Sequence, residues 1–234
     1  MTIHKIRTKL EKLADKERAE VLQRFFKTGP GGYGEGDVFL GIRVPVLRKL
    51  AKEYQSVTTN EAQQLLKSSI HEERLLALFI LVGAYSKGDE SARKSIYELY
   101  LENTQSINNW DLVDGSAEHI VGAFLMDKSK KPLYLLSKSK NLWERRISIM
   151  STFYFIKRNE FSETLKIAEI LISDNEDLIH KAVGWMLREV GKRHLEIEKK
   201  FLKDHYRKMP RTMLRYAIER FSEPKRQLYL KGKI

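Results

Sequence analysis

Trp110 and Asp114 lie four residues apart in the stretch Trp110-Asp111-Leu112-Val113-Asp114. On a helix that spacing puts both side chains on one face, one turn apart. The indole presents an apolar, electron-rich surface, and the carboxylate presents a fixed negative charge. Together they suit a cation, or a centre that becomes cationic as a bond breaks. A plainer account is a core tryptophan with an acid favoured by the helix dipole. The elements that would have to position the pair decide between the two.

A chain of 234 residues, 42% apolar and 32% charged, is long enough for a sizeable core and is read as one domain over residues 1–234. It has no cysteine, which excludes disulfides and thiolate metal sites. The six histidines are scattered without ligand spacing, so neither a metal nor a cofactor is expected. No Ser/His/Asp set is recognisable. The N-terminus lacks the apolar run of a signal peptide, and the longest apolar stretch, Leu75 to Tyr85, is too short to span a bilayer. The expectation is a monomeric cytoplasmic protein with no membrane partner. The net charge is +12 and unevenly spread. Residues 186–234 hold 15 basic and 6 acidic side chains. Such an excess points to a polyanion, with nucleic acid ahead of membrane.

Nearly every segment reads as helix. Residues 3–27 carry apolar positions at helical spacing, with a break near Asp15. The glycine-rich run from Gly29 to Asp37 stops any helix, and it lacks the Gly-Lys-Ser/Thr ending of a P-loop. It reads as a connection able to approach a phosphate closely. Pro45, Pro132, Pro210 and Pro224 suit first turns of helices. Thr59, Glu72, Asp89 and Asn109 stand near further helix starts. No alternating strand is evident, so the chain is predicted to be all-α.

Arg74, Asp111, Arg146, Lys181 and Arg215 each fall early in a helix, 37, 35, 35 and 34 residues apart. That period fits one helical hairpin per repeat, stacked as a HEAT-like α-solenoid. Counted from the shared position, Trp110 is at −1, Asp114 at +3, Trp185 at +4 and Arg188 at +7. These offsets fall within an arc of roughly 140°. The expected outcome is a polar, aromatic and basic concave surface, the face such stacks offer to extended partners.

At these residues the chain resembles the DNA alkylation repair family of AlkD-type glycosylases. The matching stretches are Phe39-Leu40-Gly41-Ile42-Arg43-Val44-Pro45, Asn109 to Asp114, Trp143-Glu144-Arg145-Arg146 and Lys181 to Glu189. The resemblance implies a HEAT-like solenoid that removes N-alkylated purines, such as 7-methylguanine and 3-methyladenine, from double-stranded DNA. By motif, Asp114 would be the catalytic carboxylate, Trp110 and Trp185 would line the lesion cleft, and Arg146 would hold the DNA backbone. Arg43, Lys181 and Arg188 match as further DNA contacts. The glycine-rich loop departs from the family pattern, and Asn109 stands where a second tryptophan can occur.

The chemistry accords with a single acid. Cleaving an N-glycosidic bond builds positive charge on the sugar. A purine alkylated at a ring nitrogen already carries a positive charge and leaves neutral, so no general acid is needed. One carboxylate can then stabilise the sugar cation and orient a water. Two alternatives share the fold: a non-catalytic HEAT-like module that binds DNA structure, and a protein-binding scaffold.

Overall fold

The computed structural model describes residues 2–234, and every regular element in it is a helix. The sole β feature among the described residues is an isolated bridge between Val38 and Ile70. The all-α prediction holds. The chain divides into two compact units, Met1–Ile120 and Val121–Ile234.

The first unit contains α1 (Thr2–Lys12), α2 (Lys16–Phe25), α3 (Val44–Glu53), α4 (Thr59–Leu66), α5 (His71–Lys87), α6 (Glu90–Glu102) and α7 (Trp110–Asp114). The predicted break near Asp15 is the N-cap of α2, where the carboxylate accepts from the Arg18 amide at 3.0 Å. Thr58 and Glu61 form a reciprocal capping box that starts α4. Beyond its first turn, helix α5 is apolar on all faces over Leu75 to Leu81, so it has to be enclosed. Residues His71 to Leu81 are buried without interruption, against α3, α4, α6 and α7.

The second unit contains α8 (Ala123–Leu125), α9 (Lys131–Leu136), α10 (Leu142–Ser151), α11 (Phe153–Ile156), α12 (Ser162–Ile170), α13 (Asp177–Arg193), α14 (Leu195–His205), α15 (Arg211–Ala217) and α16 (Glu223–Leu230). Its central helix is α13, packed on α10, α14 and α15. At Gly184 a Cβ would stand 2.4 Å from the Met213 carbonyl oxygen, so only glycine lets α13 and α15 approach this closely.

One side-chain-to-carbonyl contact recurs along the chain. Arg74 donates to the Ser68 carbonyl and Arg145 to the Ser139 carbonyl, each at 3.0 Å, and His180 donates to the Asp174 carbonyl at 2.5 Å. Each residue is the fourth after its N-cap and reaches the carbonyl six positions back. The three lie 71 and 35 residues apart. The period therefore matches the sequence reading, but Arg145 and His180 carry the contact, one position before Arg146 and Lys181.

Candidate functional site

In the first unit, α7 is only five residues long and is fixed at its N-terminus and along its buried side. The Asn109 side chain, fully buried, caps it by accepting from the Trp110 amide at 2.8 Å and donating to Asp37 at 3.3 Å. Leu112 and Val113 are fully buried beneath it. The outward side carries Trp110, Asp111 and Asp114, all half-buried. The expected pairing of Trp110 with Asp114 on one helical face is thus present.

The Trp110 indole lies parallel to the Phe26 ring at 5.2 Å, and Phe25 meets it edge-on at 6.2 Å. Phe26 in turn stacks on Phe39 at 4.9 Å, and Phe39 on His71 at 4.3 Å. Beside this column opens an apolar cavity of about 490 Å³, whose walls include Phe25, Phe39, Arg43, Trp110 and Asp111. Arg43 is exposed at the N-cap of α3. Two residues matched by motif, Arg43 and Trp110, therefore meet at one cavity, which Asp114, one turn further along the same face of α7, does not line. Asp114 is close enough to Tyr100 to affect its titration. Burial drives the Tyr100 phenol far above its ordinary range, the Ser116 hydrogen bond offsets part of that, and the Asp114 charge adds to it.

A buried charge network supports the start of α7. His71, on α5, lies between two carboxylates, 3.0 Å from Asp37 and 2.8 Å from Asp111. Arg74 pairs with the other oxygen of Asp37 at 2.7 Å. Burial alone would lower the His71 pKa, but hydrogen bonds to Asp111 and Asp37 outweigh it and raise it above the ordinary value. Burial likewise pushes Asp37 up, and its bonds to His71 and Arg74 more than reverse that. Next in sequence, Glu72 accepts from the backbone amides of Leu40, Gly41 and Ile42 at 2.9, 2.7 and 3.1 Å. Glu73 pairs with Arg7 at 3.1 Å.

None of His71, Glu72, Glu73 or Asp37 is a functional candidate in the sequence reading, where Glu72 marks only a helix start and Asp37 the end of a loop. The signal was available: four consecutive titratable residues, His71 to Arg74, open a long helix that is otherwise mostly apolar. The glycine-rich loop also has a local structural role. Its Gly31 amide donates to Glu35 at 2.9 Å, a Cβ on Gly34 would stand 2.5 Å from the Phe26 carbonyl, and Asp37 anchors its end.

In the second unit, Trp185 is half-buried and donates its Nε1–H to Glu189 at 3.2 Å, with Phe153 at 5.9 Å. Arg146 is only 4% exposed and donates to the Leu178 carbonyl at 2.5 Å. Its neighbour Arg145 pairs with Asp174 at 2.6 Å, so neither arginine is a simple solvated charge. Lys181 pairs with Asp177 at 2.7 Å and Arg188 with Glu219, both acids being well exposed. Trp143 is buried as packing. Among the described residues no group of three or more His, Asp or Glu is placed to hold a metal ion, and no helix is long and apolar enough to cross a membrane.

The family model for DNA alkylation repair enzymes matches residues 6–221. This chain belongs to that family. Solved structures of similar fold include a predicted DNA alkylation repair enzyme from Enterococcus faecalis, with 16% identity and a TM-score of 0.70 over 90% of this chain and 97% of that one. AlkD2 from Streptococcus mutans is similar at 20% identity, with a TM-score of 0.56 over 89% of this chain and 99% of that one. The smu.31 protein of Streptococcus mutans UA159 follows at 19% identity, with a TM-score of 0.52 over 92% and 96%. No curated protein sequence matches the chain. Family membership makes this a DNA alkylation repair enzyme; of the four matching stretches quoted above, all within residues 6–221, three lie on helices or at their caps, and Phe39 to Pro45 runs from a non-helical segment into the first turn of α3.

Proposed function

We propose that this DNA alkylation repair enzyme is a DNA glycosylase. It hydrolyses the N-glycosidic bond of positively charged N-alkylated purines, 7-methylguanine and 3-methyladenine among them, in double-stranded DNA. The bond pair of the glycosidic bond passes to the purine nitrogen and neutralises the base, which departs without a proton donor. The sugar is left with oxocarbenium character at C1′. Asp114 stabilises that charge and orients a water, whose oxygen bonds to C1′ as its proton is lost. The Trp110 ring face favours the cationic nucleotide and excludes bulk water. In the second unit, Trp185 is the aromatic residue that the motif match assigns to the lesion.

The observation that carries this reading is that Trp110 and Asp114 share the half-exposed face of a helix locked by buried Leu112 and Val113. Around them Arg43, exposed, is the most available phosphate contact among the matched bases. Lys181 and Arg188 reach phosphate by exchanging exposed carboxylate partners for it, a small cost at a surface. Arg146, in contrast, has to release the Leu178 carbonyl to do so. A HEAT-like stack with a basic concave face is the architecture this reading calls for.

Incubating the protein with methylated duplex DNA and measuring free purine tests it. Wild type releases 7-methylguanine or 3-methyladenine, and Asp114→Asn lowers the rate by roughly 10²–10³-fold while keeping the fold. Duplex binding without base release, unchanged in Asp114→Asn, selects a non-catalytic DNA-binding module instead.

A further inference from the structure

Glu189 closes the Lys181–Glu189 stretch with no role yet attached to it. Its side chain is 8% exposed, although it lies in the last turns of α13 among basic residues. One carboxylate oxygen accepts from the Trp185 indole N–H at 3.2 Å and from Lys192 at 2.5 Å. The other accepts from Arg193 at 3.2 Å, and Arg193 also holds the Glu189 carbonyl at 3.0 Å. The Arg193 guanidinium lies 5.9 Å from the Phe153 ring centre, and Phe153 lies 5.9 Å from Trp185 at an interplanar angle of 58°. Trp185, Glu189, Arg193 and Phe153 therefore form a closed circuit of contacts.

A plainer account is ordinary ion pairing between side chains three and four apart on a helix. Two features exceed it. The carboxylate is almost wholly withdrawn from water, which such pairs do not require. It also carries the indole N–H on an oxygen that Lys192 already satisfies. Burial raises the Glu189 pKa, but Lys192 and Arg193 outweigh it, so the group is held ionised. A charged acceptor polarises the N–H bond more than a neutral one and returns electron density to the ring. The attraction of a cation to an aromatic face grows with that density.

We infer that Glu189 is a positioning residue for Trp185: its carboxylate fixes the plane of the indole and enriches the ring face that meets a cationic purine. The inference rests on the glycosylase reading for its catalytic consequence, and on the free protein alone for its structural one. The test uses Glu189→Gln, which keeps a neutral acceptor, Glu189→Ala, which removes it, and Lys192→Met, which removes one ion pair and spares the indole bond.

The first readout is the Trp185 Nε1–H proton resonance in the free protein, assigned with Trp185→Phe. It should move upfield in Glu189→Gln and further in Glu189→Ala, and stay put in Lys192→Met. The second is 7-methylguanine release from methylated duplex DNA. Here kcat should fall roughly threefold in Glu189→Gln and tenfold in Glu189→Ala, with KM changing less than about twofold. Glu189→Gln alone decides the matter where Glu189→Ala does not fold. An unmoved resonance overturns the inference, as do wild-type rates in both Glu189 variants or equal losses in all three proteins. Should wild type release no base, the glycosylase reading fails, while the resonance still judges whether Glu189 holds the indole.

Discussion

The two units hold a half-buried tryptophan by opposite means. In the first, Trp110 is held by carbon: it stacks on Phe26, which stacks on Phe39, and the charges that support α7 are sealed beneath. In the second, Trp185 is held by its polar edge, through Glu189 and the basic residues around that carboxylate. Both units use the same carbonyl contact from the fourth position after an N-cap, so the scaffold is shared and the fixing of the ring is not. A stacked ring answers to packing. A ring held by an ion answers to charge, salt and pH.

The sharpest way to break this contrast is at Phe26. Phe26→Ala should cost about 3–5 kcal/mol by removing the centre of a ring column. Trp185→Ala, at a half-exposed position, should cost clearly less. Urea denaturation of the two variants checks it, and similar midpoints would show that the distinction has no energetic content. Close behind comes Asp37→Asn, which leaves His71 and Arg74 buried without their shared carboxylate. Breaking such a buried pair typically costs about 3–5 kcal/mol.

A second test uses pH, to which each unit responds through a different group. The folded-state pKa of His71 is raised, so its contribution is fully present below the ordinary histidine value of 6.5 and is lost as pH rises through the folded value. Glu198 on α14, 2% exposed, is pushed up by burial to about 8, despite opposing effects of Arg188 and Lys225. The folded chain then binds a proton that the unfolded chain has released, so stability falls between pH 4.5 and about 8. Each group contributes a slope of at most ~1.4 kcal/mol per pH unit. Thermal melts across this range should show a decline that Glu198→Gln flattens below pH 8 and His71→Gln flattens above pH 6.5.

The smallest effect belongs to the exposed pair of Lys181 and Asp177. Lys181→Ala should change stability by only about 0.2–0.5 kcal/mol. Its effect on duplex affinity should exceed that if the lysine meets phosphate, and a filter-binding titration at low salt measures the difference.

Much of this was legible in the chain. Asp15, Asp89 and Asn109 are N-caps, and Thr59, read as near a helix start, directly follows the N-cap Thr58, because caps act within three residues and leave a local mark. The all-α class followed from periodicity. The interior of the first unit was not legible, because its partners are distant in sequence: Asp37 lies 34 residues from His71, and Arg7 lies 66 from Glu73. Side chains that read as a polar helix start are enclosed once those partners arrive. The repeat register slipped by one for a similar reason. Arg145 and Arg146 are equal as letters, and only the carbonyl each reaches tells them apart.

Gly184 sets a limit on how the neighbouring indole can change its place. Any side chain there would force α13 and α15 apart by about an ångström to reach ordinary contact with the Met213 carbonyl. Trp185 is the very next residue, so its ring would swing with the displaced backbone. The location of that ring is therefore inherited from a seam between two main chains, and any change in how the ring sits has to arise in the flanking side chains while the seam stays shut.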